Sequence, residues 1–266
     1  MSGVGLELLL GMAGKLKNAA MGVYYFARLA TCRSRRGFYG AHFLNAFEGD
    51  TVRRAFDRWA GLGSSAEALR RMPDSAGLLA DRPGLGRLPP GSLGRAYLDF
   101  LTVHDISGDF INEAADLFSR MRGEDGPRTW FRRHVAVAHD LRHVIAGYDI
   151  SPRGEFCILC FSFGQTRHAG VGALALFAGA RAVAKGDFGI LRSGAEAHRR
   201  GREGVLFDLL PWELCLDAPL AVCREALGLS PPRLFPAPVA PDAYVEKAAD
   251  SQLDPEQSFA AVLAAA

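Results

Sequence analysis

The stretch TWFRRHVAVAHDLRHVIAGYDISPRGE, residues 129–155, determines most of the fold prediction. Apolar residues recur at helical spacing from Thr129 to Gly147, which predicts one helix over that range. The segment Gly147–Pro152 has the composition of a turn. Its Ser151 is suited to the N-cap of a following helix, and Pro152 to the first helical position. The stretch therefore predicts a helix, a tight reversal and a second helix.

Four residues of this stretch can bind a metal ion. His139 and His143 are four residues apart, so on a helix both imidazoles lie on one face. Asp140 can add an oxygen ligand or orient a ring. Glu155 follows His143 after eleven intervening residues, and the reversal would return its carboxylate to the pair. Two imidazoles with one or two carboxylates suit Zn²⁺ or Fe²⁺ and leave positions for a substrate.

The same residues also allow a purely structural interpretation. A His pair four residues apart can be a surface or capping pair, and the helix dipole alone favours a Glu in the first turn of a helix. Spacing by itself leaves the two interpretations open. The dipeptide His104-Asp105 is a useful comparison, because Gly108 stands where a second His would be needed. We expect only a helix C-terminus there.

The remainder of the chain predicts an all-α, single-domain, bundle-like fold. Alternating strand patterns are nearly absent, and the apolar run Glu155–Lys185 indicates one or two helices. Residues 1–230 are assigned to the helical domain, and the Pro-rich segment 231–266 to a C-terminal extension that wraps or frays. Other helices are predicted at Leu6–Arg33, Val52–Leu62, Leu93–Val103, Asn112–Met121, Glu196–Phe207 and Pro219–Leu227. A further helix is predicted after a capping box formed by Ser64 and Glu67, and Ser92 is expected to start the helix Leu93–Val103. A loop is predicted at Asp81–Gly91.

Composition excludes several classes of protein. The chain has 31 basic and 29 acidic residues, so no strong field directs it to nucleic acid. Uncharged runs are too short for a membrane span, and the first residues make a poor signal peptide. We therefore expect a cytoplasmic protein. Cys157 and Cys160 have metal-site spacing but lie in an apolar run, which favours buried core positions. The cluster His198–Arg202 is interpreted as a solvated helix end, with contact to anionic groups as the alternative.

Several separated segments, in the same order, resemble the coenzyme Q (ubiquinone) biosynthesis protein 4 family. The signature of that family is His-Asp-x-x-His, eleven residues and Glu, which here is His139, Asp140, His143 and Glu155. The resemblance covers residues 75–229 well and the first 75 residues more loosely. Further matching segments are Leu88–Tyr97, Val144–Tyr148, Gly154-Glu155 with Gln165-Thr166, Arg199–Arg202, Trp212-Glu213, and Pro219-Leu220 leading to Leu227-Gly228.

The resemblance implies an all-helical protein, peripheral to the inner face of the membrane, that acts in ubiquinone biosynthesis. The family is linked to loss of the carboxyl group from carbon 1 of a polyprenylated hydroxybenzoate head group, with oxidation of that carbon. A metal-dependent decarboxylase is therefore expected. The alternative is a non-catalytic, prenyl-lipid-binding scaffold that organises the biosynthetic complex. Expected partners are the prenylated acid or another isoprenoid lipid, the membrane surface, other ubiquinone-biosynthesis enzymes and a second copy of the chain.

For a decarboxylase of this kind, we expect His139 and His143 to be the primary ligands of a divalent ion, zinc or iron(II). Glu155 is a further ligand, and Asp140 is either a ligand or the carboxylate that moves protons. Decarboxylation of an electron-rich phenol needs stabilisation of negative charge or delivery of a proton to the ring carbon. Arg142 and Arg153 are expected to neutralise the substrate carboxylate. The prenyl tail would lie along the apolar helices between residues 156 and 180.

Overall fold

The structure, a computed structural model, describes residues 18–32, 36–106, 118–124 and 126–235. Within these ranges no β-strand forms, and the isolated bridge between Ser92 and Pro219 joins two loops. The fold is all-α, as predicted. The helices are α1 (18–31), α2 (Arg36–Ala46), α3 (Thr51–Ala60), α4 (Ser65–Arg71), α5 (Ser75–Ala80), α6 (Arg82–Gly86), α7 (Leu93–His104), α8 (118–121), α9 (Gly126–Val137), α10 (His139–Ala146), α11 (Pro152–Thr166), α12 (Ala169–Ala184), α13 (Gly189–Glu203) and α14 (Leu220–Ala226), with 3₁₀ turns at Phe207–Leu209 and Trp212–Leu214.

The reversal between α10 and α11 forms as its residues predict. Gly147 adopts the left-handed conformation, with φ of 77°, and ends α10. Ser151 is the N-cap of α11, and its hydroxyl accepts a hydrogen bond from the Gly154 amide at 3.1 Å. Pro152 occupies the first helical position, where a missing N–H costs nothing. The two helices that carry the candidate ligands are therefore connected by a defined turn.

The single helix predicted from Thr129 to Gly147 is wrong, because Ala138 interrupts it. Ala138 has φ of −79° and ψ of 7°, which separates α9 from α10. The residue is fully buried. The break allows α9 to pack on α3 and α5 while α10 packs on α7. Tertiary packing thus overrides a continuous local helical pattern.

The apolar run Glu155–Lys185 forms two helices, one of the two predicted arrangements. Arg167, with φ of 54°, ends α11, and His168 is the N-cap of α12. Its Nδ1 accepts a hydrogen bond from the Gly170 amide at 3.1 Å. The helix α11 packs most extensively on α13. A Cβ on Gly164 would lie 2.3 Å from the His198 carbonyl oxygen, so only glycine permits this approach.

Several smaller boundary predictions differ from the structure. The predicted capping box at Ser64 and Glu67 does not form. Ser64 has helical backbone angles, with φ of −62° and ψ of −22°, and its side chain makes no cap hydrogen bond. The Glu67 carboxylate pairs with Arg70 and Arg71. The predicted loop after Asp81 contains the short helix α6, whose N-cap is Asp81. The helix predicted at Glu196–Phe207 instead begins at Gly189 and ends at Glu203. Two predictions for α7 are confirmed, because Ser92 is its N-cap and the helix ends at His104-Asp105.

Two predicted helices lie partly outside the described residues, namely the first part of Leu6–Arg33 and most of Asn112–Met121. The start of the proline-rich extension is described as far as Phe235. Glu196 accepts hydrogen bonds from the amides of Arg233 at 2.9 Å and Leu234 at 2.8 Å. The described start of the extension, residues 231–235, is therefore bound to α13. Among the described helices, none combines the length and the apolarity needed to cross a bilayer.

Candidate metal centre

Three side chains from α10 and the first turn of α11 converge on one point. His139, His143 and Glu155 each offer a ligand atom, and these atoms lie within 4.8 Å of one another. The Nε2 atoms of the two histidines are 3.3 Å apart. His143 Nε2 lies 3.8 Å from Glu155 Oε1. The convergence expected from the spacing is confirmed, and the role of the three residues as metal ligands stays a prediction.

His143 is held in one orientation by its surroundings. Its Nδ1 donates a hydrogen bond to the backbone carbonyl of Tyr148 at 3.1 Å. Its ring is fully buried and stacks on Phe100, with centroids 5.8 Å apart. In a neutral imidazole that carries its proton on Nδ1, the Nε2 lone pair is free to bind a metal ion. A backbone carbonyl behind a histidine ligand is the usual means of fixing its tautomer.

Both imidazoles are neutral at physiological pH. Burial lowers the pKa of His143 to about 4, and the nearby Arg142 charge contributes to this shift. Burial, together with His143 and Arg142, also holds the pKa of His139 well below its ordinary value. A metal ion binds only the unprotonated nitrogen. The site therefore presents two nitrogen donors without a proton having to be removed.

Glu155 is positioned by the turn that precedes α11. Asp149 Oδ1 accepts a hydrogen bond from the Ser151 amide at 2.9 Å, which shapes the turn. Gly154 packs so closely on it that a Cβ would lie 2.0 Å from the Asp149 carbonyl oxygen. The Glu155 side chain is 44% exposed. Partial removal from water, with the charges of Asp140 and Asp149, raises the pKa of Glu155 to about 7.

This donor set fits a divalent cation. Two donors about 2.1 Å from a tetrahedral zinc ion are separated by about 3.4 Å, close to the observed distance between the Nε2 atoms. Two neutral imidazoles with one carboxylate suit Zn²⁺ or Fe²⁺. Three protein ligands leave at least one coordination position, and the exposed side of Glu155 is where a substrate oxygen can approach.

Three other predicted site residues lie outside the converging group. Asp140 is in the first turn of α10, where burial raises its pKa and its charge raises the pKa of Glu155. Arg142 donates to Asp208 Oδ1 at 2.6 Å and stacks over the Phe207 ring. Arg153 donates to Asp187 Oδ1 at 2.7 Å. Both guanidinium groups thus have carboxylate partners, and their proposed contact with a substrate stays a prediction.

The C-terminal end of α10 is closed by two buried arginines. Arg224 donates to the carbonyls of Val144 at 2.8 Å and Ile145 at 3.0 Å. Arg200 donates to the Ala146 carbonyl at 3.0 Å. Carbonyls in the last turn of a helix have no intrahelical partner, so these contacts stabilise the helix that carries the histidines. The sequence-based interpretation of Arg200 as part of a solvated cluster is wrong.

Neither Cys157 nor Cys160 joins the metal centre. Cys157 is fully buried, and burial raises the pKa of its thiol to about 12. Burial raises the pKa of Cys160 to about 11. Among the described residues, His139, His143 and Glu155 are the one group of potential ligands that lie close enough together to share an ion. A separate cleft of about 730 Å³ lies between α4, α6 and residues 213–217, and its lining contains none of these three residues.

Sequence reasoning missed the residues that support His143 and Arg142. Phe100 and Asp208 come from distant segments, so no local pattern marks them. The sequence hints only weakly at the contact between the Tyr148 carbonyl and His143. Gly147 can adopt the left-handed conformation, which turns the next residue back onto the last turn of α10.

The chain is similar to proteins of one known family. The family described as "Coenzyme Q (ubiquinone) biosynthesis protein Coq4" matches residues 64–233. Two similar proteins are named ubiquinone biosynthesis protein COQ4 homolog, mitochondrial. The one from Rattus norvegicus is 28% identical over 193 residues, covering 62% of this chain and 64% of that protein. The one from Homo sapiens is 28% identical over 192 residues, with the same shares. The chain thus spans less than two thirds of the length of these relatives.

A solved structure is similar in fold. It is the crystal structure, at 2.85 Å resolution, of a protein from Nostoc punctiforme assigned to ubiquinone biosynthesis. The TM-score is 0.57, with 18% sequence identity over 79% of this chain and 98% of that chain. At this level of identity the similarity establishes the helical architecture.

Proposed function

Because the chain belongs to the Coq4 family of coenzyme Q (ubiquinone) biosynthesis proteins, we propose that it acts in ubiquinone biosynthesis as a metal-dependent decarboxylase. Its substrate is a polyprenylated hydroxybenzoate, and the reaction removes the carboxyl group from carbon 1 of the head group. The observation that supports this proposal is the convergence of His139, His143 and Glu155 within 4.8 Å. Family membership suggests the pathway, and this geometry suggests the chemistry.

The chain supplies orientation and proton transfer at the centre. A bound divalent ion would hold the substrate carboxylate or phenolate and stabilise the negative charge that develops on the ring. His143, oriented by the Tyr148 carbonyl, keeps its Nε2 directed at the centre. Asp140, whose pKa is raised by burial, can hold a proton beside the centre. As the carboxylate leaves as CO₂, the ring carbon takes up one proton, and Asp140 is the group we assign to deliver it.

Oxidation of the same carbon sets a further requirement. Simple decarboxylation exchanges CO₂ for a proton and needs no oxidant. Hydroxylation at carbon 1 needs an electron acceptor, for which dioxygen is the co-reactant. Zinc cannot change its valence, so a coupled oxidation requires iron(II) or a direct reaction of dioxygen with the activated ring.

The test is turnover by the purified, metal-loaded protein, with a prenylated hydroxybenzoate as substrate and mass spectrometry of the product. We expect His139→Ala to weaken binding of Co²⁺, followed by its absorption spectrum, by about 100-fold and to abolish turnover. The matched control is His198→Ala, because His198 packs on Phe163 and is not part of the centre. Equal Co²⁺ affinity in wild type and His139→Ala would contradict the proposal.

The alternative function is a scaffold that presents a prenyl lipid to other ubiquinone-biosynthesis enzymes. The exposed apolar side chains of α12 favour it, since Leu176 is 76% exposed on a helix rich in alanine and glycine. In that case the ion would only hold α10 and α11 together. Retention of a prenyl lipid without turnover, tested with zinc, iron(II) and dioxygen, would favour this function over the enzyme. Under either function we place the protein at the inner face of the membrane, with other pathway enzymes and a second copy of the chain as its partners.

A further inference from the structure

Residues 230–235, here called the strap, are bound to one face of α13. Ser193, Glu196 and Arg200 are three and four residues apart on that helix, so their side chains share a face, and all three are buried. The Ser193 hydroxyl donates to the carbonyl of Leu234 at 3.1 Å. Glu196 accepts a hydrogen bond from the Leu234 amide at 2.8 Å. Because hydrogen bonds to a carboxylate are stronger than those between neutral groups, Glu196 anchors the strap firmly.

Arg200 joins the strap to the turn that follows α10. Its Nε donates to the carbonyl of Ser230 at 3.0 Å, and its Nη1 donates to the hydroxyl of Tyr148 at 2.6 Å. The guanidinium also lies over the Tyr148 ring, 5.2 Å from its centroid. A planar guanidinium holds several acceptors at fixed angles to one another. The strap and the turn are therefore connected through one buried side chain.

The end of the strap packs on the same turn. Phe235 is 4% exposed, and the edge of one ring meets the face of the other where it contacts Tyr148, with centroids 5.3 Å apart. A Cβ on Gly147 would lie 3.1 Å from Cδ of Pro232, so Pro232 lies directly against the backbone of the turn. Tyr148 is itself only 2% exposed. The strap therefore contacts both residues of the Gly147-Tyr148 turn.

This turn orients the histidine at the candidate centre. The Tyr148 carbonyl accepts the hydrogen bond from His143 Nδ1 at 3.1 Å, and this contact keeps the Nε2 lone pair free. His143 Nε2 lies 3.3 Å from Nε2 of His139. A movement of the Tyr148 backbone would change both the tautomer and the direction of the His143 ring. What holds Tyr148 therefore also acts on the centre.

We propose that the strap is a positioning element of the candidate metal centre, acting through Arg200, Phe235 and Tyr148 on the ring of His143. Segments near chain ends are poorly ordered unless they are bound, and this one is bound at several points. The inference rests on the proposed function only in that His143 binds an ion. The effect of the strap on the His143 ring requires no ion, so it can be measured in the metal-free protein.

The first experiment is nuclear magnetic resonance of the metal-free full chain with ¹⁵N-labelled histidine. Phe235→Ala removes the ring that packs on Tyr148. Leu234→Pro removes the amide that Glu196 binds, and it opens no cavity because Leu234 is 53% exposed. In the wild type we expect His143 to carry its proton on Nδ1, in a signal identified by its loss in His143→Gln. In both strap variants that proton should exchange with water at least about tenfold faster.

The second experiment is titration of the same variants with Co²⁺. Phe235→Ala and Leu234→Pro should each weaken Co²⁺ binding about tenfold and shift its absorption spectrum, because a ligand loses the support of its outer partner. Phe235→Leu keeps most of the buried volume and should stay within about threefold of the wild type in both experiments.

Two variants serve as controls. Leu234→Ala shortens the same exposed side chain but keeps the amide that Glu196 binds. Phe43→Ala removes a ring of similar burial, 3% exposed, from α2. Neither should change the exchange of the His143 proton or the Co²⁺ spectrum. Because Leu234→Pro leaves the core intact, the test does not depend on the folding of Phe235→Ala.

Three results would overturn the inference. The first is exchange of the His143 proton as slow in Phe235→Ala and Leu234→Pro as in the wild type. The second is equally fast exchange in Phe43→Ala, since the strap would then act only on global stability. The third is a wild-type His143 that carries its proton on Nε2. If the wild type failed to bind Co²⁺ while the difference in exchange persisted, the proposed function alone would be contradicted.

Discussion

At the candidate centre, His143 uses its two ring nitrogens for different tasks. Nδ1 donates to the Tyr148 carbonyl, while Nε2 faces His139 and Glu155. The backbone contact selects the tautomer, and burial keeps the ring neutral by lowering its pKa to about 4. Two neutral nitrogen donors and a carboxyl group therefore already lie together, as a divalent ion would require. Such preorganisation would remove part of the free-energy cost of binding the proposed ion.

Glu155 gives a prediction in which stability and binding change in opposite directions. Its pKa in the fold is about 7, above the ordinary value of 4.5. The ionised carboxylate therefore destabilises the metal-free fold at pH 8, and this penalty disappears below about pH 4.5, where both states are protonated. We expect Glu155→Gln to raise the free energy of unfolding of the metal-free protein at pH 8, to leave it unchanged at pH 4, and to weaken Co²⁺ binding about 100-fold.

Urea denaturation at the two pH values, with a chelator present, measures the first effect, and titration with Co²⁺ measures the second. The exposed Glu203 provides the control, and Glu203→Gln should change neither quantity. A lower stability of metal-free Glu155→Gln at pH 8 would contradict the assignment of an unfavourable charge.

Among the elements, α10 and the turn that follows it place the donors. The helix begins directly after the break at Ala138. At its other end, Arg200 and Arg224 donate hydrogen bonds to the backbone carbonyls of the last turn. Ser151 then starts α11 so that Glu155 lies in its first turn. The distance between the histidines and the carboxylate thus depends on the shape of a short reversal.

Gly154→Ala tests this dependence. The added Cβ would lie 2.0 Å from the Asp149 carbonyl oxygen, and a backbone atom cannot move away cheaply. We expect a loss of about 1–3 kcal/mol in the free energy of unfolding, because the clash forces the first turn of α11 to shift. Displacement of Glu155 should also weaken Co²⁺ binding at least about tenfold.

The control for this variant is Gly40→Ala in α2, where an added Cβ meets nothing within 4 Å. It should leave Co²⁺ affinity unchanged and should not lower stability. If Gly154→Ala bound Co²⁺ as tightly as the wild type, the geometry of the turn would not determine the centre.

Across the whole molecule, a buried polar network joins distant segments to α10. Glu213 accepts hydrogen bonds from Ser75 Oγ at 2.6 Å and from His134 Nδ1 at 2.8 Å. His134 Nε2 donates to the carbonyl of Asp208 at 3.2 Å, and the Asp208 carboxylate binds Arg142. The rings of Trp59, Trp130, Phe131 and Trp212 pack around His134. The network therefore connects α5, α9 and the 3₁₀ turns to α10, the helix that carries His139 and His143.

Glu213→Ala should be among the most damaging substitutions in the protein. It would leave His134 and Ser75 buried without their acceptor, which costs about 3–5 kcal/mol in the free energy of unfolding. Ser75→Ala removes one donor and should cost about 1–2 kcal/mol. Urea denaturation measures both, and equal small losses would show that the pair contributes little.

The amino-acid sequence determined the helical class, the reversal at residues 147–152 and the four-residue spacing of the histidines. These features depend on local chemistry: Ser151 caps, Pro152 starts a helix, and an i, i+4 pair shares a face. The convergence with Glu155 also followed, because both partners flank one short turn.

Only the tertiary structure decided the partners of the charged groups and the break at Ala138. Arg142 binds Asp208 and Arg153 binds Asp187, across distances along the chain at which no periodicity acts. The break depends on what α9 and α10 each pack against, and the outward face of α12 depends on the aromatic rings of α11. Packing and pairing between distant segments depend on which surfaces come into contact when the chain folds. A local sequence pattern contains no information about those contacts.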